Sequence, residues 1–124
     1  MPIQPLAKTI QDFILKHIHT VAQMEALLFL HAHPQERWAA ADMAKRLYAT
    51  EREIVAALSE LHRDGFLHES DGLYQFQSSP ERAALVAEFA EAYRHQLIPI
   101  TNLIHGKLRS INAFSDAFKW RKDR

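Results

Sequence analysis

The stretch TEREIVAALSELHRDGFLHESDGLYQFQ, residues 50–77, holds a helix, its stop signal and a β-hairpin in immediate succession. Thr50 and Glu53 form a capping-box pair, whose hydroxyl and carboxylate satisfy backbone N–H groups at a helix start. Ile54, Leu58 and Leu61 then recur at helical spacing and give that helix one apolar stripe. Gly65 stands where a left-handed residue ends a helix with least strain. Phe66 to Ser70 and Leu73 to Gln77 flank Asp71-Gly72, a two-residue turn in which both positions must accept positive φ, so a hairpin is predicted.

Upstream, Met43, Ala44 and Leu47 mark a short helix, and Tyr48-Ala49 form a tight turn between it and Thr50. Trp38 follows a polar bend as a short extended anchor. Thr20 and Gln23 repeat the capping box and open a helix through Met24, Leu27, Leu28 and Leu30, which stops near His33-Pro34. Leu6, Ile10, Phe13, Ile14 and then His17 or Ile18 predict an N-terminal amphipathic helix entered through Pro5.

Downstream, Ser79-Pro80-Glu81 opens another helix with a hydroxyl cap, a proline at the first position and an acid at the positive end of the dipole. Val86, Phe89, Tyr93, Leu97, Ile100 and Ile104 lie along one apolar seam near the helical repeat. Pro99 should kink or break that helix near Ile98. Gly106 ends the segment, and Ile111, Phe114 and Phe118 suggest a last amphipathic helix.

From Trp38 to Leu67 the chain resembles the winged helix-turn-helix superfamily of bacterial regulators. The residues that carry the likeness are Trp38, Met43-Ala44, Leu47, the Thr50 cap, Leu58, Leu61 and Gly65-Phe66-Leu67 leading into the wing. The flanking helices are similar to those that multiple-antibiotic-resistance-type and phenolic-acid-responsive regulators add for dimerisation. The ending Ala113 to Lys122 looks like the tail of a group of small bacterial proteins of this architecture.

The resemblance implies a mainly α (α+β) fold: a winged helix-turn-helix core with a two-stranded wing and additional terminal helices. It divides one domain, 1–124, into a core at 20–77 and flanks at 1–19 and 78–124. Two departures stand out. Ala39 occupies a position where such domains often carry a hydroxyl cap, and Glu69 and Asp71 put acid on a wing that usually presents lysine or arginine.

Fifteen lysines and arginines balance fifteen aspartates and glutamates, so a non-specific phosphate coat, which needs net positive charge, is disfavoured. The absence of cysteine removes disulfides, thiol nucleophiles and thiolate zinc sites, and suits a reducing compartment. The N-terminal residues show no secretory pattern, and the apolar stretch Ala26 to Leu30 is too short to span a bilayer, so a cytoplasmic protein is expected. Each glycine has a structural assignment and no nucleophile motif is present, so an enzyme is not expected. The pairs His17-x-His19 and His31-x-His33 point apart on a helix, and neither a metal nor a cofactor is expected.

Binding is the function class that remains. With Ile54, Leu58 and Leu61 facing the core, Arg52, Ala56, Ser59 and Arg63 fall on the opposite face of their helix. Two arginines can reach guanine edges or phosphates, a serine can bond either, and an alanine permits close approach. Lys45 and Arg46 on the preceding helix, with Thr50, complete the expected DNA-binding set. Glu53, Glu60 and Asp64 on the neighbouring flank oppose phosphate, which leaves a protein-interaction module as the second expectation, through the wing or the C-terminal tail. The seam Val86, Phe89, Tyr93, Leu97, Ile100, Ile104 is expected at a homodimer interface; the alternative is packing against the first helix. The tail from Lys107 to Arg124 carries six basic and two acidic side chains. With Trp120 beside them it can meet a DNA backbone, an anionic membrane surface or an acidic protein, or lie solvated.

Overall fold

Two capping boxes set the starts of the two central helices. In the computed structural model, which describes residues 7–96, 100 and 102–104, the Thr20 hydroxyl accepts from the Gln23 N–H while the Gln23 side-chain Oε1 accepts from the Thr20 N–H. Helix α2, Val21–Ala32, begins there. Thr50 and Glu53 repeat the arrangement at 3.1 and 3.2 Å to open α4, Glu51–Arg63. Helix α1, Lys8–His17, starts at Ala7 without a side-chain cap and presents Ile10, Phe13 and Ile14 inward. Pro5 and Leu6, expected to lead into it, lie outside the described residues.

Strand β1 is the pair Trp38–Ala39, and α3, Ala40–Leu47, follows at once. Ala39 supplies no side-chain cap, as its methyl group dictates; Asp42 in the first turn offers the dipole a negative charge instead. Tyr48 then adopts φ 55, a left-handed conformation that turns the chain from α3 into α4. Gly65, at φ 87, ends the α4 region, and the Phe66 N–H reaches back to the Leu61 carbonyl.

The hairpin is β2, Leu67–Ser70, and β3, Leu73–Phe76, joined at Asp71 and Gly72 with φ 54 and 78. Positive φ at both central residues gives a turn whose twist matches that of the strands. The Glu69 carboxylate accepts from the Gly72 N–H at 3.0 Å and so braces this turn. Strand β1 pairs antiparallel with β3, Trp38 opposite Tyr74, and the sheet has three strands in the order β1-β3-β2. The architecture is therefore mainly helical with a small antiparallel sheet.

Helix α5, Pro80–His95, starts from the Ser79 cap and Pro80. Its C-cap is Gln96, and the kink or break expected near Ile98 falls outside the described residues. Ile100 and residues 102–104 are helical, with the Ile100 N–H bonded to the Gln96 carbonyl. Leu97, Ile98, Pro99, Gly106 and the helix expected from Ile111 to Phe118 lie outside the described residues.

One core joins these elements. Phe13 of α1 sits between Phe66, 5.8 Å away and edge-on, and Phe89 of α5, 5.2 Å away. Ile14, Leu27, Leu30, Ile54, Leu58 and Leu61 fill the space around them with no solvent exposure. His17 closes the edge of this cluster: its Nδ1 donates to Asp64 at 3.2 Å and its ring meets Phe66 edge-on.

Candidate functional site

Helix α4 is held from within by Ile54, Ala57, Leu58 and Leu61, all buried. That stripe leaves Arg52, Ala56, Ser59 and Arg63 exposed together on the outer face, as their spacing requires. The two arginines differ in their surroundings. Arg52 pairs with no described carboxylate, whereas Arg63 Nη2 lies 2.9 Å from Glu60 Oε2. That pair is largely solvated and holds Arg63 only weakly, so its guanidinium can exchange to another anion.

The residues expected to contact the DNA backbone also separate. Lys45 is exposed at the C-terminal end of α3 and carries no ion pair with a described residue. Arg46 lies over two rings, 5.5 Å from Trp38 and 5.7 Å from Phe29, so its planar group serves as a cover for the sheet edge. Stacking leaves its outer edge able to donate, but from a fixed position. Thr50 spends its hydroxyl on the helix cap.

The wing turn carries Glu69 and Asp71, both exposed, and Glu69 has the structural role already described. A phosphate approaching this turn meets two carboxylates and no cation from the turn itself.

Four of the six residues of the seam expected at a dimer interface are buried within a single chain. Val86, Phe89, Ile100 and Ile104 have no exposed surface, and both α1, through Phe13 against Phe89, and α2 pack against α5. Tyr93 is half-buried against the same core, and Leu97 lies outside the described residues. An apolar stripe states that a face is covered without stating by what, and here the first two helices both lie against α5.

The histidines diverge as their spacing predicts. His17 faces Asp64, His31 meets Phe76 edge-on at 5.1 Å, and His33 Nδ1 donates to the Phe29 carbonyl at 2.9 Å. Among the described residues no group of three or more His, Asp or Glu side chains converges on a metal-sized site. No described helix is long and apolar enough to cross a membrane.

One feature of the surface was not legible in local patterns. A groove of about 820 Å³ runs between the first turn of α2, the α3–α4 turn and the flank of α4. Its lining includes the apolar Val21, Leu47, Ile54 and Ala57 and the acidic Glu25, Glu53 and Glu60. Tyr48, 98% exposed, stands at the rim. Gln23 also lines it; this side chain is buried, and its Nε2 has no hydrogen-bond partner among the described residues. Ala56 belongs both to this groove and to the arginine face of α4, so the two surfaces adjoin.

No family model matches the chain, and no curated protein or solved structure matches it.

Proposed function

We propose that the chain is a winged-helix DNA-binding regulator whose α4 enters the major groove. The order α2, β1, α3, α4, β2, β3 is read as the winged-helix order, with α3 and α4 as its helix-turn-helix. The observation that carries the proposal is the outer face of α4. Arg52, Ala56, Ser59 and Arg63 are exposed side by side on a helix capped at one end and anchored along its other face. An α-helix fits the major groove, and arginine can bond both acceptors on a guanine edge. Lys45 supplies a neighbouring contact to phosphate.

Binding on this reading is narrow. Four carboxylates, Glu51, Glu53, Glu60 and Asp64, accompany the two arginines between residues 51 and 64, and the wing is acidic. Few phosphate contacts mean a weak electrostatic contribution, so specificity rests on base edges. Two chains on a palindromic site would meet through a surface other than the Val86–Ile104 seam, which is occupied within each chain.

A second reading, a protein-interaction module that keeps this fold without DNA affinity, is favoured by the carboxylates of the wing and of the α4 flank. Selection of randomised duplexes by the full chain at low salt separates the two. The DNA reading expects an enriched sequence. Recovery of no enriched sequence, with a protein partner retained through the hairpin, supports the second.

A further inference from the structure

The groove beside α4 has a defined chemical preference. Apolar side chains and the carboxylates of Glu25, Glu53 and Glu60 line it, and no lysine or arginine is among its described lining residues. Glu53 and Glu60 each engage one carboxylate oxygen locally, with the Thr50 N–H and with Arg63 respectively. Tyr48 holds a whole aromatic ring in solvent at the rim, from a left-handed backbone position that disfavours a side chain. A nucleic acid is a poor occupant of such a surface, because its phosphates would face three carboxylates. A basic segment with apolar anchors has the complementary chemistry.

The chain carries one. We propose that residues 107–124 dock in this groove within the same molecule. Lys107, Arg109, Lys119, Arg121, Lys122 and Arg124 outnumber Asp116 and Asp123 in that segment. Between the basic groups, Ile111, Phe114 and Phe118 fall at the i, i+3, i+7 positions with which a helix anchors itself in an apolar groove. The positive side chains then meet Glu25, Glu53 and Glu60.

The seven steps from Ile104 to Ile111 extend to at most about 25 Å. A tether this short gives an effective concentration on the order of millimolar, which favours the chain's own segment over that of a second copy. The proposal does not rest on α4 binding DNA, although a docked segment would border the arginine face at Ala56.

Because the chain contains no cysteine, Ser115→Cys provides a unique site for a nitroxide spin label on the full-length protein. Amide signals of residues 20–25, 47–49 and 53–60 should broaden, while those of the Ser70–Gly72 turn, which does not line the groove, should be less affected. A mixture of isotope-labelled unmodified chains with spin-labelled unlabelled chains should show no such broadening. Glu25→Lys with Glu60→Lys should restore the groove signals, with amide dispersion verifying that the variant is folded. In the parent chain, about 1 M salt, where the screening length falls to about 3 Å, should restore them partly without mutation. Groove amides that broaden no more than the turn overturn the proposal. So does broadening confined to the mixed sample, which assigns the groove to a second copy, or broadening that charge reversal and salt both leave unchanged.

Discussion

Gly65 and His31 illustrate how single residues set the terms of this fold. Gly65 ends α4 at φ 87, and a Cβ there would meet Arg82 Nη1 at 2.6 Å. The guanidinium can move, but it lies over the Phe66 ring at 5.2 Å and would leave that contact. Gly65→Ala should therefore cost about 1–2 kcal/mol from the left-handed backbone alone, with the displaced arginine adding to it. Gly72→Ala, at φ 78 with nothing near the new methyl group, should cost less, and chemical denaturation of both variants measures the difference. At His31, burial holds the imidazole below its ordinary range. The unfolded chain then binds this proton more tightly than the folded one. Its contribution to stability is retained above about pH 6.5 and lost as pH falls through that value toward the lower folded pKa. The melting temperature of the parent should fall relative to that of His31→Leu as pH is lowered from about 7.5 to 5.5, and a difference that does not change with pH would contradict this.

At the scale of elements, Phe89 decides who owns the C-terminal seam. It contacts Phe13 and is fully buried in one chain, so Phe89→Ala should remove about 3–5 kcal/mol of stability. An interface residue would instead shift the monomer–dimer balance and leave the folded subunit's stability largely intact; denaturation paired with sedimentation distinguishes the two. The same comparison shows what could be read in advance. Both capping boxes, the Asp71-Gly72 turn, Gly65 and the Ser79-Pro80 start involve residues within a few positions of each other, and their geometry follows from local chemistry. The amphipathic stripe of α5 was equally legible, but its covering element was not, because periodicity carries no information about the partner. Nor was the pairing of Trp38-Ala39 with Leu73-Tyr74, which rests on two residues met across the fold. For the candidate site, exposure of Arg52, Ala56, Ser59 and Arg63 followed directly from helical spacing. The stacking of Arg46 on Phe29 and Trp38 and the groove between α2 and α4 did not, since each is assembled from separate elements.

For the whole molecule, the balance of charge is less informative than its placement. The chain is neutral, yet carboxylates gather at the wing turn and along the α2–α4 groove, while Arg52, Ser59 and Arg63 share the outer face of α4. On this account DNA approaches one face and is repelled from its two neighbours. The direct test is a titration of a selected duplex with the parent chain and with Arg52→Ala/Arg63→Ala over a series of salt concentrations, followed by fluorescence anisotropy. If the face reads bases, each arginine that bonds a guanine edge contributes about 1–3 kcal/mol, and the double variant should lose affinity and sequence discrimination together. A double variant that binds the same duplex as tightly and as selectively as the parent would contradict the assignment of α4 as the reading helix.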